Sequence, residues 1–159
     1  METKLIIEKV RDVKTPSYGT SNSAGIDFFI PEDFPVTTVA PHHDIMIKSG
    51  IKLEIPEGMF LKMANKSSRA ITEIAFYKAT EKSKTMAAGM IAGADVIDSD
   101  YKEEISLHLI NYSEQSIILR PGDKIIQGIL LPYIKGEIEE GKVGEPKERK
   151  GGFGSTGDR

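Results

Sequence analysis

The sequence predicts an all-β fold, a sandwich, jelly roll or distorted barrel, on three observations. Apolar residues recur with period two, most plainly in Ile51-Lys52-Leu53-Glu54-Ile55 and Ile105-Ser106-Leu107-His108-Leu109. Turn residues punctuate the chain at Pro31 to Asp33, at Pro56-Glu57-Gly58 and at Arg120-Pro121-Gly122-Asp123. The β-rich runs between them are short and numerous, which suits a closed or two-layered antiparallel fold.

In chain order, strands are expected at Leu5 to Val10, Ile26 to Ile30, Val36 to Ala40, Ile45 to Lys48 and Ile51 to Ile55. More follow at Met59 to Ala64, Glu103 to Asn111, Ile117 to Leu119 and Lys124 to Ile134. Two stretches break the pattern. From Thr72 to Met90, alanine, lysine, glutamate, threonine and methionine replace the β-branched residues, so this stretch is a short helix or a long excursion between strands. From Gly136 to Arg159 the chain carries seven glycines and almost no aliphatic side chains. It cannot offset its ordering entropy alone, and a mobile arm is expected. The division is therefore a β domain over 1–135, with an atypical insertion at about 72–90, and an arm over 136–159.

At 159 residues, one domain with one core fits the length. A formal charge of −3 gives no global basic field, so no nucleic acid polymer is expected as partner. With no cysteine there is no disulfide, thiolate zinc site or thiol nucleophile. No run is apolar enough for a signal peptide or a membrane span. A cytoplasmic location is expected, the host cytosol for a viral protein.

Five segments carry candidate chemistry. Ser23-Ala24-Gly25-Ile26-Asp27-Phe28 places a carboxylate at a strand start, either a turn cap or a group near a hydrated cation. Asn65-Lys66-Ser67-Ser68-Arg69 combines cations and hydroxyls after a strand, a phosphate-facing cluster or a polar loop. Gly93-Ala94-Asp95-Val96-Ile97-Asp98-Ser99-Asp100-Tyr101 is an acidic hairpin. It is either a solvated turn or a carboxylate placed to deprotonate water, with backbone groups that could read a base edge. Arg120 to Gln127 is a tight turn into a strand, where a buried Gln127 would need a hydrogen-bond partner. Gly151-Gly152-Phe153-Gly154-Ser155-Thr156-Gly157 is a flexible end, or a nest of amides and hydroxyls for phosphates with one aromatic face for a base.

In order, Ala24-Gly25-Ile26-Asp27, Lys66-Ser67-Ser68, Gly93 through Tyr101, Gly122-Asp123-Lys124 with Gln127, and Gly151 through Gly157 resemble the five motifs of the trimeric dUTPases. The resemblance spans about residue 24 to residue 157. It implies a jelly-roll homotrimer with active sites at subunit interfaces, hydrolysing dUTP to dUMP and pyrophosphate with Mg2+. By that resemblance Asp98 is the general base, and Tyr101 packs under the deoxyribose. Gly93, Ala94, Val96 and Ile97 read uracil, and Asp27 meets the metal through water. Lys66, Ser67, Ser68 and Gln127 hold the phosphates. Gly152, Phe153, Gly154, Ser155 and Thr156 close over the nucleotide, with Phe153 capping uracil and Arg149 or Lys150 standing in for the usual arginine.

The sequence departs from the family in four places, one of them the fifth-motif arginine, whose position Glu148 occupies with Arg149 one further on. The second motif, usually Pro-Arg-Ser-Gly, reads Asn65-Lys66-Ser67-Ser68, and the fourth has Lys124 for arginine. Lysine keeps the charge and loses the bidentate fork. Ser67 and Asp98 lie 31 positions apart, roughly twice the usual spacing, and the excess falls in the odd stretch at 72–90. A dCTP deaminase is the nearest alternative, but His108 stands where a catalytic glutamate belongs. A regulator that binds a protein partner through the insertion is the other.

Overall fold

The computed structural model describes residues 3–66 and 90–144, in which every regular element is a β-strand. The strands are β1 (Ile6–Lys9), β2 (Ser17–Tyr18), β3 (Gly25–Phe29), β4 (Thr37–Val39), β5 (Asp44–Lys48) and β6 (Ile51–Glu54). They continue with β7 (Met59–Ala64), β8 (Met90–Ala92), β9 (Val96–Ile97), β10 (Ser106–Asn111), β11 (Ile117–Leu119) and β12 (Lys124–Pro132). The all-β expectation is met. Strands β2, β8 and β9 are additions to the expected set, and Met90, placed at the end of the odd stretch, opens β8.

All pairings are antiparallel. A five-stranded sheet runs β2-β3-β12-β7-β9, a three-stranded sheet runs β5-β10-β8, and β1-β6 and β4-β11 form two ribbons. Their inner faces share one core. Phe28, Leu61 and Ile126 come from the large sheet, Ile47, Leu107 and Leu109 from the second, and Ile51 and Leu119 from the ribbons, all at most 1% exposed. Each such side chain contributes about 1.5–3 kcal/mol relative to exposure.

Strand β12 sets the geometry near the site. Gln127 pairs with Asp27 of β3 on one side and Ala64 of β7 on the other. The register slips between Lys124 and Ile126, because Lys124 faces Phe29 while Ile126 faces Phe28. That bulge absorbs one residue. As a result Lys124 and Gln127, three apart on β12, stand opposite Phe29 and Asp27, two apart on β3, and both reach Asp27's face of the sheet.

Beyond Pro132 the Tyr133 amide donates to the Gly58 carbonyl at 3.1 Å and its ring meets Phe60 edge-on; past it the described residues join no strand, and 133–144 lies exposed, with Ile134 at 99% and Ile138 at 98%. No helix among the described residues is long and apolar enough to cross a membrane.

Candidate active site

Asp27 is 3% exposed in the middle of β3, a position that no isolated carboxylate could hold. Two ammonium groups sustain it. Lys66, just past β7, bonds to Oδ1, and Lys124 Nζ lies 2.8 Å from Oδ2. Burial pushes the Asp27 carboxyl upward, but the hydrogen bonds from Lys124 and Lys66 outweigh it, and its pKa lies below the ordinary value of 3.8. Lys124 also sits over the Phe29 ring, 5.8 Å from its centroid. The turn before it is locked by Gly122 at φ 76° and by Asp123 Oδ2, which accepts from the Arg120 amide at 2.9 Å. Few residues other than glycine adopt that φ.

Gly25 lies beside this cluster, and a Cβ there would sit 2.2 Å from Gln127 Oε1. The Gln127 side chain instead packs on the bare glycine backbone and donates through Nε2 to the Asn65 carbonyl at 2.9 Å. Asp27, Lys66, Lys124 and Gln127 thus form one polar group, on neighbouring β3 and β12 and just past the end of β7.

The turn between β8 and β9 is the second component, and it is not the expected hairpin: β8 pairs with β10 and β9 with β7, so the turn crosses from one sheet to the other. Lys62 pairs with Val96, the Met63 amide donates to the Asp95 carbonyl at 2.7 Å, and Lys62 Nζ lies 3.6 Å from Asp95. Gly93, Ala94 and Val96 are exposed, so the tip presents backbone outward. From below, Gly93 rests on the His108 ring. Its amide donates to the His108 carbonyl at 2.9 Å, and a Cβ on Gly93 would lie 2.2 Å from Nδ1. The ring is pinned by Asp44, 2.8 Å from Nε2, a bond that also holds the Asp44 carboxyl below its ordinary value. Gly93→Ala therefore forces the ring out or lifts the tip. The expected result is a loss of about 1–3 kcal/mol in denaturant unfolding, with a raised KM for whatever base the tip reads.

The third component is the turn after β9. Asp98 is exposed, and its carbonyl accepts from the Tyr101 amide at 3.2 Å. The Tyr101 hydroxyl donates to the Glu104 carbonyl at 3.2 Å. Glu104 anchors the segment, since its Oε1 accepts from Arg11 Nε and from the Gly50 amide, both at 2.8 Å. A cleft lined by Lys4, Glu54, Pro56, Ser99 and Asp100 adjoins this turn and includes neither Asp98 nor Tyr101. Its mixed charges and its lining place it apart from the chemistry.

The structure thus groups Asp27, Lys66 and Gln127, and sets Gly93, Ala94, Val96 and Ile97 on the turn into β9 and on β9 itself, which leads into Asp98 and Tyr101. Ser67, Ser68, Arg149, Gly152, Phe153, Gly154, Ser155 and Thr156 lie outside the described residues, as does most of the expected insertion at 72–90. Sequence reasoning did not place Lys124 in the site, although the β3–β12 register brings it there. It also left out Asn65, whose clue was the missing proline.

No three His, Asp or Glu groups cluster to hold an ion among the described residues, and both Asp27 oxygens already face ammonium groups. The donor set suits an ion that arrives on a triphosphate with its own water, because magnesium keeps several waters and binds through few carboxylates.

Comparison with known proteins agrees with this geometry. The dUTPase family model matches residues 79–157. The chain is 33% identical over 156 residues to the deoxyuridine 5′-triphosphate nucleotidohydrolase of Hydrogenobaculum sp. (strain Y04AAS1), covering 97% of this chain and 98% of that protein. It is 32% identical to the Clostridium tetani enzyme of the same name, covering 99% and 96%. The fold is similar to a mutant of the phage 80alpha dUTPase, with TM-score 0.76, 20% identity and coverage of 98% and 99%. It is also similar to the dUTPase from phage phi11 of S. aureus, at TM-score 0.70, 14% identity and coverage of 89% and 98%. On relatives matched along nearly its whole length, and on a fold shared with solved members, the chain belongs to the dUTPase family, whose members hydrolyse deoxyuridine triphosphate.

Proposed function

We propose that this chain cleaves dUTP to dUMP and pyrophosphate, with Asp98 as general base. One observation carries the assignment: Asp98 is exposed just past β9, on a segment paired to β7 on one side and resting on His108 at Gly93. This supports a carboxylate beside a backbone edge able to read uracil. A water held by Asp98 attacks the α-phosphorus in line. Its oxygen forms the new P–O bond, the bond to the bridging oxygen breaks, pyrophosphate leaves, and the water's proton passes to Asp98. Lys66 and Gln127 hold phosphate oxygens, together with Ser67 and Ser68, and Tyr101 packs against the deoxyribose.

Magnesium, when bound with the nucleotide, offsets phosphate charge. Asp27 is the residue placed to face its water shell, and to do so it would give up part of its hold on Lys66 or Lys124. The arm, with Arg149, Gly152, Phe153, Gly154, Ser155 and Thr156, closes over the nucleotide and excludes water. The nearly full exposure of Ile134, Ile138 and Val143 supports an arm that leaves its own subunit to cover another, as a homotrimer requires. In the cytosol this activity limits uracil in DNA and supplies dUMP for dTMP synthesis.

Incubation with dUTP, dCTP, dTTP and UTP, with and without magnesium, tests the assignment. Pyrophosphate from dUTP alone is the expected result. Ammonia from dCTP would replace the assignment with a deaminase, and silence on every nucleotide would leave a binding protein. Light scattering should give three times the 17.5 kDa chain mass. A second role, contact with a protein partner through 72–90, is favoured by the likeness to phage enzymes, one of whose structures visualises a species-specific insert. A deletion within 72–90 that keeps trimer mass and dUTP turnover would support a surface insertion, and loss of the trimer would refute it.

A further inference from the structure

We infer that Asn65 is a positioning residue that fixes the spacing between the phosphate-binding and base-reading parts of the site. This rests on the proposal above that Lys66 takes a phosphate and the β8–β9 turn takes the base. Asn65 stands between β7 and Lys66 and is bound from two sides. Its Oδ1 accepts the Ala92 amide at 2.7 Å, and its carbonyl accepts Gln127 Nε2 at 2.9 Å. Ala92 closes β8, and the next residue, Gly93, donates its amide to the His108 carbonyl at 2.9 Å. Two consecutive amides at the end of β8 are therefore fixed, one to Asn65 and one to β10. On its other side Asn65 is followed by Lys66, which reaches Asp27 on β3.

β7 ends at Ala64 and β8 begins at Met90, far apart in sequence and in different sheets. The Asn65–Ala92 hydrogen bond joins the two strand ends directly. Proline, which the family resemblance expects at position 65, has no side-chain acceptor and could not make it. The asparagine thus ties the end of β7 to the end of β8 in a site that must span a whole nucleotide, from uracil at the β8–β9 turn to phosphate at Lys66.

The spacing matters only to a ligand that engages both ends at once. Asn65→Ala and the similarly sized Asn65→Leu should weaken binding of the non-hydrolysable imido analogue of dUTP about 3- to 10-fold, the worth of one hydrogen bond. Binding of dUMP should change less than about twofold, well inside that range. Asn65→Asp keeps the acceptor and should keep the Ala92 amide protected from hydrogen exchange, whereas the alanine and leucine variants lose that protection. Equal weakening of both ligands would mean general loosening and overturn the inference, and so would unchanged analogue binding with Ala92 still protected. If the wild-type protein bound neither deoxyuridine nucleotide, the proposed function itself would fall. Wild-type binding with no split between the variants would remove the role of Asn65 alone.

Discussion

Asp98→Asn should lower kcat for dUTP by about 10²–10⁴-fold and leave affinity for the imido analogue nearly unchanged. The amide has the shape of the carboxylate and still accepts a hydrogen bond from water, but it cannot take a proton. The fold offers little resistance to the change. The side chain is exposed, and the turn is held by the main chain, through the Tyr101 amide on the Asp98 carbonyl and through Glu104 on Arg11 and Gly50. The melting temperature should therefore stay within a degree or two of wild type, since exposed substitutions of this kind fall within about ±0.5 kcal/mol. What activity persists measures alignment and phosphate charge compensation without a base. Single-turnover rates at saturating nucleotide separate chemistry from product release. A loss below tenfold in that experiment would assign the proton to another group.

The fold was legible where strands are half-buried. β6, β7 and β10 alternate inward and outward residues, and alternation is what one sheet face against a core imposes on a sequence. β8 escaped notice because Met90-Ile91-Ala92 is too short to show a period and follows a stretch rich in lysine and alanine. Its strand character comes from pairing with Leu109, Ile110 and Asn111, residues distant in sequence. β2, at Ser17-Tyr18, exists for the same reason, by pairing with Ile26 and Asp27.

The site divides in the same way. The segment from Gly93 to Tyr101 is local, so its order of glycine, acid and tyrosine could be read directly, although the hairpin expected there is instead a crossing between two sheets. Gln127, expected to need a partner if buried, is half-buried and bonds to the Asn65 carbonyl. The environment of Asp27 was not readable. Its two lysines are brought by other strands, and Lys124 reaches it only because a bulge shifts β12 by one residue. Nothing in the local sequence marks that bulge. His108, which sequence alone left as a histidine in an alternating strand, becomes the footing of the β8–β9 turn only when Gly93 is seen stacked on it.

Asp27→Asn should cost roughly 2–4 kcal/mol of stability, near the low end of what breaking a buried ion pair costs, and should also weaken triphosphate binding. The carboxylate side chain is 5% exposed, Lys66 19% and Lys124 43%. An asparagine leaves two ammonium groups against a neutral amide. Lys124 can turn toward water, which trims the penalty, while Lys66 is too enclosed to escape it fully. Lys124→Gln should accordingly cost less than Asp27→Asn. The double variant should cost less than the sum of the two, because the second change removes a charge that the first had stranded. The sign with pH follows from the depressed Asp27 pKa. Its contribution is complete above the unfolded value near 3.8 and is lost as pH falls through the lower folded value. In denaturant titrations the gap between wild type and Asp27→Asn should hold steady from neutral pH into the weakly acidic range and close only below the ordinary carboxylate range. A gap already closing near pH 6 would mean that Asp27 is protonated in the folded protein, and that the two lysines owe their positions to something other than its charge.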